Sequence, residues 1–134
     1  GGALTGEGRA AAIASERSLA DEELRVAEAV LAAGSPRVAL TRVYYAAFHL
    51  ARALLFHSDI EPRTHDGVRR LFNLHWVAPG RAEPRWNALL ARLQKYREEA
   101  DYAVGFVVDE DWVRREITEV AALRAFVAVA VSRG

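Results

Sequence analysis

One stretch limits the fold of this chain more than any other: Leu40 to Leu55, which reads LTRVYYAAFHLARALL. It is the densest apolar run of the protein, yet arginine, tyrosine and histidine residues are threaded through it. A helix that buries such a face must supply hydrogen-bond partners for these groups, because an unpaired buried polar group costs about 1–3 kcal/mol. The stretch therefore indicates a packed central helix whose polar side chains are candidates for function. Those side chains are Arg42, Tyr44, Tyr45, His49 and Arg52.

The spacing in this region predicts a helix from Pro36 to His57 that is buried over a wide face. A Ser-Pro pair opens it, and proline is favoured at the first helical position. Arg42, Tyr45 and His49 stand three and four apart, so their side chains lie on one side of the helix. The buried face consists of two adjacent stripes with the same spacing. The stripes are Leu40, Tyr44, Ala47, Ala51 and Leu54, and then Tyr45, Phe48, Arg52 and Leu55.

Similar patterns predict helices along the rest of the chain. A long amphipathic helix spans Glu7 to Ala33, and a short helix follows a cap at Thr64. A further helix begins at Pro84 and ends near residue 102, and a last one begins after a cap at Asp109. The apolar run from Ala103 to Val108 has no second run with which to pair, so we expect a buried connector there.

These elements predict an all-α fold, an up-and-down antiparallel bundle of four long helices plus one short helix. With 134 residues and no internal repeat, the chain fits a single domain over residues 1–134. Residues 1–6 are excluded from this fold as a disordered or tag-derived end.

Composition narrows the function classes. Cysteine is absent, which excludes disulfides, thiolate metal sites and a cysteine nucleophile, and the four histidines lack the spacing of a metal site, so we expect no metal and no cofactor. No apolar run approaches the ~18 residues of a transmembrane helix, so we expect a soluble, cytoplasmic protein without membrane contact. Net charge is zero, but residues 61–97 carry eight basic and three acidic side chains, a region that could face an anionic ligand or simply a complementary neighbouring helix.

Several segments together resemble a known family. The chain has an arginine shortly before a Tyr-Tyr-Ala-x-Phe run, a Thr-His-Asp-Gly-Val segment followed by Phe72, and an Arg-x-x-x-Asp-Tyr motif before a last helix that contains Ala-Phe-Val. In this order and spacing the chain resembles the HEPN-domain proteins, specifically a small uncharacterised group of the toxin–antitoxin type. The segments are residues 42–48, 64–68, 97–102 and 125–127.

The resemblance implies an all-helical homodimer, often encoded beside a minimal nucleotidyltransferase in toxin–antitoxin or defence loci. Active members of the family resemble metal-independent ribonucleases with an Arg-x4–6-His motif late in the bundle, where arginine stabilises phosphate charge and histidine moves a proton. In this chain the late position holds Arg97, Asp101 and Tyr102, and no histidine follows His75. Tyrosine, with a reference pKa near ~10, is a poor general base at neutral pH.

Two interpretations of the polar residues therefore stay open. Arg42 and His49 have the Arg-to-His spacing of the active motif on one helical face and are the catalytic candidates of an endoribonuclease. Alternatively, Arg97, Asp101 and Tyr102 meet Arg42 and Tyr45 across the bundle in one buried polar network that binds a ligand or fixes the helix register.

Four further residues and one segment carry their own expectations. His65 is a capping or turn residue, or a ligand-binding residue, and the three tryptophans are core or interface anchors. In a third hypothesis, the basic middle segment, residues 61–97, binds a free nucleotide. For the whole chain we predict a nucleotide- or RNA-interacting component of a toxin–antitoxin or defence module, or else a non-catalytic interaction protein that docks a nucleotidyltransferase. The tryptophans are Trp76, Trp86 and Trp112.

Overall fold

The structure, a computed structural model, describes residues 5–133 and consists of helices and their connections. The helices are α1 (Gly6–Ala32), α2 (Pro36–His57), α3 (His65–Phe72), α4 (Pro84–Tyr102) and α5 (Glu110–Ser132), and a π-helical turn, Asn73–Val77, extends α3. The predicted all-α bundle of four long helices and one short helix is confirmed. Within residues 5–133 no helix has the length and apolar content needed to cross a membrane.

The ends of the helices follow the local sequence signals. Thr5 caps α1 by accepting a hydrogen bond from the Gly8 amide at 2.9 Å, and Thr64 caps α3 in the same way from Gly67. Gly34 adopts a φ of 89°, and the Ser35 amide donates to the Val30 carbonyl, so a left-handed glycine closes α1. The sequence predicts a disordered or tag-derived end over residues 1–6. In the structure Thr5 caps α1 and Gly6 is its first residue, while residues 1–4 lie outside the described residues.

Helix α2 is the centre of the bundle, as predicted from its sequence. It packs against α1, α3, α4 and α5, and the buried residues of all five helices form one core cluster. Its alanines allow neighbouring helices to approach closely, since Ala46, Ala47 and Ala51 are fully buried. The first predicted stripe, Leu40 to Leu54, is buried throughout, whereas in the second only Phe48 and Leu55 are buried.

One prediction about a connection needs correction. The segment from Ala103 to Val108 is a connector, but it is not buried: Val104 and Val107 are fully or largely exposed, while Phe106 packs against Trp112. The connector is instead held by Arg37 of α2, whose guanidinium donates to the carbonyls of Ala100 and Phe106. Apolar composition did not predict burial here, because main-chain hydrogen bonds to Arg37 fix the segment at the surface.

The short helix α3 changes its winding near its end. After Phe72 the backbone widens into the π-helical turn. This turn places Trp76 in the core, where its indole N–H donates to the Leu54 carbonyl at 3.2 Å. Trp86 is buried as expected and Trp112 is partly buried against the core.

Candidate functional site

The α2 polar face is the row of side chains formed by Arg42, Tyr45, His49 and Arg52, which stand three, four and three residues apart. All four are intermediate in exposure, between the core and the solvent. The face is therefore accessible to a ligand, but its groups are constrained by neighbours from α1, α3 and α4.

Glu16 of α1 holds the middle of this face. Its carboxylate lies 2.6 Å from His49 Nδ1 and 2.9 Å from Arg52 Nε, and only 8% of the residue is exposed. Burial alone would raise the pKa of Glu16, but the hydrogen bonds from His49 and Arg52 and the charge of Arg52 bring it below its ordinary value. Because Nδ1 faces the carboxylate, Nε2 is the ring atom of His49 left to exchange a proton with a ligand.

Arg42, at the start of the face, has a separate partner on α1. Its Nη1 lies 3.0 Å from Glu23 Oε2, and its guanidinium lies 5.2 Å from the centre of the Tyr45 ring. Arg42 and His49 thus share a helical face, as their spacing predicts, but each of them contacts a different carboxylate.

His65, the first residue of α3, covers the aromatic part of the face. Its imidazole stacks on the Phe48 ring at 4.4 Å between centres and lies 3.4 Å from the Tyr44 hydroxyl. Partial burial and the charges of Arg97 and Arg52 lower the pKa of His65, so this ring is neutral at pH 7. The capping hydroxyl belongs to Thr64, and His65 contributes a stacking surface instead.

Arg97 of α4 closes the face from the other side. Its guanidinium lies over the Tyr44 and Tyr45 rings, 5.1 and 5.9 Å from their centres, and 3.6 Å from Asp101. Burial raises the pKa of Tyr44, which keeps the phenol neutral. The expected contact between Arg97 and Tyr45 is therefore present, whereas Tyr102 is 83% exposed and lies outside the cluster.

Sequence reasoning missed Glu16 and Glu23 as members of the site. A signal was present, because Glu16 precedes Ala20 by four residues and Ala27 follows Glu23 by four, and both alanines lie on the buried stripe of α1. A carboxylate on the apolar stripe of one helix, beside a helix with arginines on its face, predicts an ion pair between them.

The arrangement is electrostatically balanced. Three guanidiniums, of Arg42, Arg52 and Arg97, contact three carboxylates, so the cluster is formally neutral when both histidines are neutral. In the part of the chain from Thr5 to Arg133, no group of three or more His, Asp or Glu side chains is placed to hold a metal ion. What the face offers chemically is an oriented imidazole, guanidiniums and the partly exposed ring of Tyr45.

Fold and site together define a class: helical bundles built around a central helix with an Arg-Val-Tyr-Tyr segment and a half-buried polar face. The chain belongs to the HEPN family, because the model of the HEPN domain matches residues 17–129. The family resemblance found in the motifs is thereby confirmed.

The chain is similar to several archaeal and bacterial proteins. It is 32% identical over 93 residues to "Putative toxin MJ0605" of Methanocaldococcus jannaschii, and the alignment covers 69% of each of the two chains. It is 45% identical over 62 residues to "UPF0332 protein PH1297" of Pyrococcus horikoshii, 46% of this chain and 44% of that one. A UPF0332 protein of Thermotoga maritima is 30% identical over 81 residues, 58% of this chain and 61% of that one. The last two alignments span less than two thirds of those relatives.

Proposed function

We propose that this chain is the HEPN component of a toxin–antitoxin-type module and that it engages RNA through the α2 polar face. Membership of the HEPN family and similarity to relatives whose names include the word toxin support the module. The observation that supports the RNA interaction is the Glu16–His49–Arg52 cluster: an imidazole oriented by a carboxylate, next to a guanidinium, on an accessible face.

If the face is catalytic, it acts as a metal-independent endoribonuclease. His49 Nε2 takes the proton of an RNA 2′-hydroxyl, the 2′-oxygen forms a bond to the adjacent phosphorus, and the bond from phosphorus to the 5′-oxygen breaks. The products are a 2′,3′-cyclic phosphate and a 5′-hydroxyl, whose proton returns from His49. Arg97, whose guanidinium lies over the Tyr44 and Tyr45 rings, supplies positive charge for the phosphate.

A second candidate function is favoured by the charge balance of the same face. The guanidiniums of Arg42 and Arg52 on this face, and that of Arg97 beside it, each contact a carboxylate of this chain, so their charges are balanced without a ligand. In this case the protein is a non-catalytic, homodimeric partner that docks a nucleotidyltransferase. The two candidates share the family and the fold and differ in whether the α2 polar face acts on RNA.

The test compares His49→Gln with wild type. Glutamine can still donate a hydrogen bond to Glu16 but cannot exchange a proton, so the fold is retained while catalysis is lost. We measure growth on induced expression, cleavage of a labelled single-stranded RNA in the presence of a metal chelator, and the melting temperature. A His75→Ala variant, which changes a histidine on the π-helical turn, is the matched control.

The catalytic proposal expects wild type and His75→Ala to cleave RNA and slow growth, and His49→Gln to do neither at a near-native melting temperature. Intact RNA with the wild-type protein, together with growth inhibition that His49→Gln does not relieve, would contradict it. Light scattering and co-purification with a nucleotidyltransferase encoded beside the gene then test the non-catalytic candidate.

A further inference from the structure

A second concave site lies away from the α2 polar face, where the end of α2 meets the π-helical turn and the last turns of α5. This cavity has a volume of about 240 Å³. Small-molecule sites commonly measure roughly 300–1,000 Å³, so the cavity suits a ligand of single-ring size. It is lined by His57, Trp76, Arg81, Phe126, Val129, Ala130 and Arg133.

The wall of this cavity is aromatic and rigid. Trp76 and Phe126 meet edge to face with 6.3 Å between ring centres, and the His57 ring lies 6.3 Å from Trp76. The hydrogen bond from the Trp76 indole to the Leu54 carbonyl fixes the tryptophan in the core. A preformed apolar surface of this kind favours a flat apolar group.

The charge that faces the cavity has one sign. Its lining includes two arginines and a histidine, and none of the seven lining residues is acidic. Burial, together with the charges of Arg81 and Arg9, lowers the pKa of His57, which is the response expected of an imidazole in a positive potential.

A comparison within the molecule shows what is unusual about Arg81. Arg81 and Arg85 both place their guanidiniums over tryptophan rings, at 3.9 Å from the centre of Trp76 and 4.1 Å from that of Trp86. Arg85 also contacts Glu119 at 2.8 Å. Arg81 instead has two neutral acceptors, the Ser58 hydroxyl and the His75 carbonyl, each at a long 3.4 Å. The two hydrogen bonds of Arg81 are therefore longer than the contact of Arg85 with its carboxylate, so the Arg81 guanidinium is held less firmly and can turn towards a ligand.

We propose that this cavity binds a small aromatic anion, with its ring against Phe126 and Val129 and its carboxylate or phosphate facing Arg81. A neutral ring would make no ionic contact with Arg81, and a bare inorganic anion would make no contact with the aromatic wall. The site is independent of the proposed function, since it shares no residue with the α2 polar face.

The binding test uses four probes on the full chain: benzoate, phenyl phosphate, benzyl alcohol and inorganic phosphate. Calorimetry gives the affinity, and NMR signals of the His57 imidazole and the Trp76 indole report the place of binding. We expect one or both aromatic anions to bind about tenfold or more tightly than the neutral and inorganic probes, because a charge-assisted contact and the ring contact add. Benzoate and phenyl phosphate distinguish a carboxylate ligand from a phosphate one.

Two pairs of variants locate the site. Arg81→Gln is compared with Arg85→Gln, which removes the other tryptophan-stacked arginine. Val129→Trp, which fills the cavity, is compared with Val38→Trp; the two valines are 50% and 51% exposed. We expect Arg81→Gln and Val129→Trp to weaken binding about tenfold or more, and their controls to bind as wild type.

Two results would overturn the proposal. One is that neither aromatic anion binds wild type at millimolar concentration, and the other is that both bind without moving the His57 and Trp76 signals. Equal weakening by Arg81→Gln and Arg85→Gln would show that overall charge, and not this cavity, determines binding. Because Arg81 and Val129 are exposed, circular dichroism of both variants should remain native. The RNA cleavage test has no bearing on these results.

Discussion

At the scale of the residue, Glu16 does most to organise the candidate site. Among residues 5–133 it is one of two buried charged residues, and it holds an imidazole and a guanidinium of α2 through two hydrogen bonds. The second such carboxylate, Glu116 of α5, holds Arg92 with contacts of 2.7 and 2.9 Å. Buried carboxylates thus fix both α1 and α5 to basic side chains of their neighbours, but only Glu16 does so at a face that carries a histidine.

Replacement of Glu16 tests this role. Glu16→Gln should lower the free energy of unfolding at neutral pH by about 1–3 kcal/mol, because His49 and Arg52 lose a charged acceptor at a site with little water. Chemical denaturation measures the change. Glu28→Gln, on the exposed side of α1, is the control and should be close to neutral.

The same substitution has a pH signature. Because the pKa of Glu16 in the folded state lies below its ordinary 4.5, its ionised form stabilises the fold above about that pH, and this contribution is lost as pH falls through the folded value. The stability difference between wild type and Glu16→Gln should therefore shrink on acidification below 4.5. A difference that stays constant would show that Glu16 acts through shape rather than charge.

His65 gives a second prediction at this scale. Burial is the first cause of its lowered pKa and the Arg97 charge the second, so Arg97→Ala should raise the pKa of His65 partway towards 6.5. An NMR titration of the imidazole measures it, with Arg114→Ala on α5 as the control of equal charge change. Since the folded pKa is the lower one, this histidine favours the folded state above pH 6.5 and disfavours it as pH falls.

At the scale of the element, the helices form where their sequences predict, and the connector between α4 and α5 does not follow its composition. The run from Ala103 to Val108 is apolar enough to suggest burial, yet it lies at the surface and is tied to α2 by Arg37. Main-chain carbonyls determine its place because they accept hydrogen bonds whatever side chains the segment carries.

Removal of this contact should loosen the connector selectively. In Arg37→Ala we expect faster amide hydrogen exchange at residues 103–108, while the amides of α2 keep their protection, since the carbonyls of Ala100 and Phe106 lose their donor. Arg25→Ala, an exposed arginine of α1, should leave exchange in the connector unchanged. Equal exchange in both variants would mean that packing of Phe106 on Trp112 holds the segment alone.

At the scale of the whole molecule, one core cluster connects all the helices through α2. A chain with one core is expected to unfold cooperatively. We therefore predict that thermal unfolding followed by far-ultraviolet circular dichroism and by tryptophan fluorescence gives coincident curves, since Trp76 and Trp86 lie in that core. Separate transitions would contradict the prediction of a single domain.

Much of this organisation could be predicted from the sequence because helix formation is largely local. The bounds of α2, the cap at Thr64 and the turn at Gly34 depend on residues within a few positions of each other. The motif order then indicated the HEPN family, which the match over residues 17–129 confirms.

What the sequence by itself determined is thus the set of helices, their buried stripes and the family. Only the tertiary structure decided which partners the polar residues have. His49 and Arg52 meet Glu16 across separations of 33 and 36 residues, and Tyr102 is exposed, outside the network in which it was expected. The physical reason is that helical periodicity places a side chain on a face, whereas its partner depends on how the neighbouring helix is rotated and how far its side chains reach.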